Sequence, residues 1–175
     1  MTRANQPETK GKSGVNEDSR GTLLVAVDFS EDSREAVLWA SREAEHLGCE
    51  LMILHVIHDP ASSPGFYRQV EVDWLRPMAD LARAMMDAFL KKIREEHPSL
   101  SALTTADAKL VTGLPASRIV EVAKSINTPL IVIGSRGRTG LTHILLGSVA
   151  ERVVQLAPMP VVVVKGHEEG HGTVH

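Results

Sequence analysis

Short apolar runs alternate along the chain with longer stretches whose apolar residues recur at helical spacing. The run Thr22 to Asp28, TLLVAVD, suits a strand buried on both faces. Ser30 then stands at a helix N-cap position. Glu31 and Asp32 follow in the first turn, where carboxylates complement the helix dipole. Ala36, Ala40, Ala44 and Leu47 recur at helical spacing, and Gly48 ends the helix. Glu50 to Ile57, ELMILHVI, predicts a second strand, and His58 to Arg68, with two prolines and a glycine, predicts a loop. Met78, Leu81, Ala82, Met85, Phe89 and Ile93 mark one face of a long helix that Pro98 ends. Ser101 to Val111 predicts a weaker strand. Pro115 suits the first turn of another helix, whose buried stripe is Ile119, Val122, Ala123 and Ile126. Leu130 to Gly134, LIVIG, predicts the fourth strand and Leu145 to Leu156 the last helix. Pro160 introduces a fifth strand, Val161 to Lys165.

Strand and helix alternate throughout, which predicts one α/β domain. A parallel sheet is covered by helices on both sides and joined by right-handed crossovers. Ligands of such sheets bind beyond the carboxyl ends of the strands, where the strand order reverses. The chemistry is therefore expected in the segments that follow each strand. Residues 1–20 and 166–175 are polar with little to bury and read as flexible tails around a folded domain of residues 21–165.

Composition narrows the function. Apolar residues are 43% of the chain and charged residues 23%, which excludes a fully disordered chain or a fibre. A net charge of −3 argues against nucleic acid as the main partner. No apolar run approaches the ~20 residues of a membrane-spanning helix, and no apolar segment follows the basic N-terminal residues as a secretory signal requires. Neither a membrane nor a nucleic-acid partner is expected. The single cysteine, Cys49, has no internal disulfide partner, which fits a reducing cytoplasm. Aromatics are only 3%, so aliphatic residues and methionine must build the core.

The stretch from Gly134 through Arg136, Gly137, Arg138 and Gly140 to Gly147 and Ser148 leaves the fourth strand and enters the last helix. Glycines let a ligand approach the backbone closely. A loop with inward N–H groups cradles anions, and the N-terminus of the next helix adds partial positive charge. Ser148 offers a hydroxyl, and Arg136 and Arg138 offer cationic donors. These parts suit a polyphosphate, although the glycine count alone fits a solvated turn equally well. The stretch is neither a Walker loop, since no Gly-Lys-Ser/Thr ends it, nor a dinucleotide fingerprint, since its glycine spacing differs and it follows the fourth strand. Asp28, at the end of the first strand, can accept two hydrogen bonds from a ribose. Its alternative task is to cap the next helix, for which Ser30 competes.

The spacing Gly-x2-Gly-x9-Gly-Ser, met by Gly134, Gly137, Gly147 and Ser148, resembles the nucleotide-binding signature of the universal stress protein family. Val27-Asp28-Phe29-Ser30, Leu54-His55-Val56 and the closing Pro158-Met159-Pro160 followed by four valines match the same family in order. The resemblance implies a Rossmann-like or flavodoxin-like five-stranded sheet of order 3-2-1-4-5, in the ATP-binding branch. Carried over by position, Asp28 would contact the ribose, and Ala26 and Val56 would border the adenine. Gly134, Arg136 and Gly137 would line the ribose and phosphate path, and Gly147, Ser148 and Val149 would hold the phosphates. Val27 and Ile133 complete the expected binding set. Some ATP-binding relatives have proline where this chain has Ala26. Mg²⁺ is expected with the phosphates. The resemblance also implies a homodimer formed by antiparallel pairing of Val161 to Val164, an apolar edge of the kind that recruits another chain.

Other candidates carry less. His55 and His58 are three apart, so a strand turns them to opposite faces and they make poor joint metal ligands. His143 sits in the glycine stretch, and His167, His171 and His175 recur in the tail; no metal site is expected. Nothing beside Cys49 would activate a thiolate. Met78 to Met86 reads as core filling before a soft binding face, and Glu95-Glu96-His97 as a solvated face. No catalytic constellation is readable. The expected function is an ATP-binding regulator in the stress response, with an unidentified protein partner. Slow ATP hydrolysis or autophosphorylation, with Ser148, Thr139 and Thr142 as acceptors, is one alternative. An interaction module without a nucleotide is another.

Overall fold

β1 (Thr22–Ala26) is the middle strand of the sheet because both of its faces are apolar. Leu23 and Val25 enter one core, while Leu24 and Ala26 enter the other. The computed structural model describes residues 21–58, 75–137 and 146–166. Around β1 stand β2 (Glu50–His58), β3 (Asp107–Gly113), β4 (Ile131–Gly134) and β5 (Val161–Val164), in the order β3-β2-β1-β4-β5. Every pairing is parallel, with Ala26 level with both Leu54 and Ile133 and Gly134 level with Val164. This is the expected flavodoxin-like α/β sheet. The order reverses between β1 and β4, so their carboxyl ends flank the crevice such sheets use for ligands.

Three helices cover one face: α1 (Glu31–Leu47), α2 (Leu75–Glu96) and the short α3 (Ser101–Thr105). α4 (Pro115–Ser125) and α5 (Ser148–Leu156) cover the other. No helix among the described residues is long and apolar enough to cross a membrane. Ser30 caps α1 by accepting from the Ser33 N–H at 3.2 Å, and Gly48 closes it in the left-handed conformation, φ 64°. That conformation is open to glycine at little cost.

Four sequence expectations are corrected by the fold. The weak strand over 101–111 is α3 followed by β3. The cause lies far away in sequence: Glu45 of α1 accepts from the Ser101 hydroxyl at 2.9 Å and the Ala102 N–H at 3.1 Å, capping α3, while Leu103 is fully buried. The buried stripe of α2 is Ala82, Met86, Leu90 and Ile93, with Phe89 partly covered; Met78 and Leu81 are exposed. The last helix starts at Ser148, because Gly147 holds extended backbone as its N-cap, and Leu145 lies outside the described residues. Glu96 is not merely solvated: it pairs with Arg34 of α1 at 2.7 Å and ties α2 to α1. The expected tails at 1–20 and 167–175, most of the loop after His58, and residues 138–145 with Arg138, Thr139, Gly140, Thr142 and His143 also lie outside the described residues.

Candidate functional site

A cavity of about 340 Å³ opens at the carboxyl ends of β1, β2 and β4. It is lined by Ala26 of β1 with Val27 and Asp28 after it, by Val56 of β2, by Ile133 and Gly134 of β4 with Arg136 and Gly137 after it, and by Gly147, Ser148 and Val149 at the head of α5. The fold therefore brings the eleven residues of the expected binding set to one place, while Arg138 and Gly140 lie outside the described residues. Leu54, His55, His58, Ser33, Ser135, Ala150, and Pro115 and Ile119 of α4 join them. The volume is within the range of small-molecule sites, and the lining combines apolar and polar groups as such sites do.

The turn out of β1 is tightly built. Phe29 adopts φ 66°, a left-handed conformation that is uncommon for a residue with a side chain. Its ring packs on His55 at 4.3 Å between centroids and edge-on to Phe89 at 5.5 Å, which holds the turn in place. The His55 Nδ1 lies 2.8 Å from the Val27 carbonyl. A carbonyl only accepts, so Nδ1 carries the proton. Asp28 faces the cavity while its Oδ1 accepts from the Ser30 N–H at 3.1 Å and the Ser30 hydroxyl at 2.5 Å. Ser30, and not Asp28, is the helix cap.

The glycines of the signature answer to close approach. A Cβ on Gly134 would stand 2.8 Å from the Asp32 carbonyl carbon and 2.9 Å from the Ser33 nitrogen, so the first turn of α1 rests directly on the end of β4. A Cβ on Gly137 would stand 2.9 Å from Asp28 Oδ2. The Gly147 N–H donates to the Ser135 carbonyl at 2.7 Å, and the Ser135 N–H to the Val164 carbonyl at 2.7 Å. These two bonds tie α5, β4 and β5 together below the cavity.

At the head of α5 the first intrahelical bond runs from the Glu151 N–H to the Gly147 carbonyl at 2.9 Å. The N–H groups of Ser148, Val149 and Ala150 have no acceptor within the helix. Among the described residues no side chain caps this end, and all three residues line the cavity. Such a helix start is suited to an anion.

Asp32 is buried, only 6% exposed. Its Oδ2 accepts from the Ser135 hydroxyl at 2.6 Å, the Arg136 N–H at 2.9 Å and Arg136 Nε at 3.3 Å; its Oδ1 lies 3.5 Å from Arg136 Nη2. Gly166 lies against the same carboxylate: a Cβ on it would stand 2.6 Å from Asp32 Oδ1. Burial alone would raise the pKa of Asp32; the bonds from Ser135 and Arg136, the Gly166 backbone and the Arg136 charge outweigh it and hold the group below the usual carboxylate range. The sequence suggested only a helix-dipole role for Asp32. Its partners lie 103 and 104 positions away, and no local pattern points to them. Among the described residues, no three His, Cys, Asp or Glu side chains gather closely enough to hold a metal ion.

The model of the universal stress protein family matches residues 20–165. The chain belongs to this family. Universal stress protein MJ0531 of Methanocaldococcus jannaschii is 34% identical to it over 143 residues, which span 82% of this chain and 81% of the relative. Among solved structures, a universal stress protein in complex with cAMP is 24% identical, covers 85% of this chain and 98% of its own, and superposes with a TM-score of 0.58. The universal stress protein of Archaeoglobus fulgidus in complex with dAMP is 23% identical, covers 83% and 98%, and superposes with a TM-score of 0.57. At these identities the two structures attest the common universal stress protein fold.

Proposed function

We propose that this universal stress protein binds ATP in the cavity between β1 and β4, with Mg²⁺ carried on the phosphate oxygens, and serves as a nucleotide-dependent regulator in the cytoplasm. One observation carries the reading: the N-terminal end of α5, which no side chain among the described residues caps, and the Asp28 carboxylate line the same cavity. An anion site and a hydroxyl-binding carboxylate in one cavity match the two ends of a ribose phosphate. The apolar surface of Ala26, Val56, Pro115, Ile119 and Ile133 suits a purine. In this arrangement Asp28 meets the ribose, Ala26, Val27 and Val56 border the base, and Gly137, Gly147, Ser148 and Val149 follow the phosphates. Two proteins of the same fold are described with cAMP and with dAMP, which makes adenine nucleotides the first ligands to try.

Calorimetric titration with ATP and Mg²⁺ tests the reading. Saturable binding tighter than about 1 mM is expected. No heat of binding from protein with an intact circular dichroism spectrum overturns it. A regulatory role further requires that nucleotide change the association of the chain with itself or a partner. Among the described residues β5 pairs on one edge only, and its valines are half-buried, which supports self-association there.

A second reading, slow phosphoryl transfer, draws on Ser148, which stands at the start of α5 on the cavity wall. Incubation with γ-labelled ATP separates the two. Released phosphate or labelled protein favours transfer, and neither leaves binding alone.

A further inference from the structure

One carboxylate joins three segments that are remote in sequence. Asp32 comes from the first turn of α1, Ser135 and Arg136 follow β4, and Gly166 follows β5. We propose that Asp32 is a positioning residue for the phosphate side of the cavity, holding the Ser135–Arg136 backbone so that Gly137 and the start of α5 face the ligand as one preformed wall. The inference rests on the nucleotide reading above and adds a residue to it that touches no ligand.

The connection is direct. Asp32 Oδ2 receives both the Ser135 hydroxyl and the Arg136 N–H, so it fixes the peptide between these two residues. The carbonyl of Ser135 in turn receives the Gly147 N–H at 2.7 Å and so sets where α5 begins. The Arg136 guanidinium reaches back to the same carboxylate at 3.3 Å, which holds this side chain along the wall, in contact with α1. Gly134 leaves α1 and β4 no clearance: a side chain there would meet Asp32 and Ser33 backbone within 3 Å. Rigid placement of this kind lowers the ordering cost of binding a flexible phosphate chain. The base side of the cavity, on Ala26, Val56 and Ile119, shares none of these bonds.

That asymmetry supplies the test. Among the described residues, every group that bonds to Asp32 is a donor: the Ser135 hydroxyl, the Arg136 N–H and the Arg136 guanidinium. Asp32→Asn keeps the size but turns one acceptor into a donor facing donors, which a buried site tolerates poorly. Wild type and variant are titrated with ATP–Mg²⁺ and with adenosine, which lacks phosphate. The variant is expected to lose about tenfold in ATP affinity while adenosine affinity changes less than about twofold. A general loosening of the fold would weaken both ligands together. Ser135→Ala removes only the 2.6 Å bond and should lower the ATP-to-adenosine ratio by about threefold; it carries the test if Asp32→Asn does not fold. An unchanged ratio in the folded variants overturns the positioning role and leaves ATP binding by the wild type intact. Absence of ATP binding by the wild type overturns the nucleotide reading and this inference with it.

Discussion

Asp28 Oδ2 lies where a side chain on Gly137 would begin, 2.9 Å from the position of a Cβ. The loop after β4 and the carboxylate after β1 thus pass each other with room for a hydrogen only.

A Gly137→Ala exchange should exploit that contact. The added methyl must displace either the loop or the Asp28 carboxylate, and both line the cavity. ATP affinity should fall at least about tenfold, or ~1.4 kcal/mol. The unfolding temperature should change little, since the site is at a surface crevice. Calorimetry and thermal unfolding on one preparation check both halves.

Gly134→Ala should behave in the opposite way. Here the obstruction is the backbone of α1 at 2.8 and 2.9 Å, which cannot swing aside like a side-chain tip. Overpacking of this kind costs about 1–3 kcal/mol. Urea unfolding should show a lower midpoint with an unchanged slope.

Acid should find Asp32. Its pKa is lowered in the folded chain, because bonds from Ser135 and Arg136, with the Gly166 backbone, outweigh the opposing effect of burial. A depressed carboxylate contributes stability above its unfolded pKa and loses it as pH falls through its folded one. Glu45 and Glu96 are held low as well, by the Ala102 N–H and by Arg34 respectively. All three contributions fade in the same acid range, so the difference between wild type and Asp32→Asn isolates one of them. That difference should be largest at neutral pH and shrink below the ordinary carboxylate range. Urea midpoints across pH 7 to 3 measure it, and a constant difference contradicts the assignment.

The outer edge of β5 should pair with its copy. Sedimentation at micromolar concentration should give twice the 19.0 kDa of the chain. A lysine in place of Val162, in the middle of the edge strand, should shift the population toward monomer. A wild-type mass of one chain removes the dimer from the account.

The strands were legible because each one that is buried on both faces is a nearly unbroken aliphatic run, as in Leu23 to Val27 and Ile131 to Ile133. The glycine spacing located the cavity because each glycine responds to a close neighbour. The misread elements depend on distant partners. Ser101 to Thr105 has no strong helical pattern and is helical because Glu45 caps it from another helix. Leu81 fits the apolar spacing of α2 as well as Ala82 does; the way α2 packs on β2 and β3 decides that Ala82 is inside. Asp32 looked like any acidic residue in a first helical turn, and only the folded chain reveals its partners.

Gly166 has a practical side. A Cβ on it would stand 2.6 Å from Asp32 Oδ1, so the chain leaves β5 against the carboxylate that holds Ser135 and Arg136. Gly21 stands at the other end of the parallel strands, where its carbonyl receives the Glu50 N–H at 3.0 Å. Affinity handles, fluorescent fusions and surface attachments are therefore better joined ahead of Gly21, since β1 begins at the end of the sheet away from the cavity.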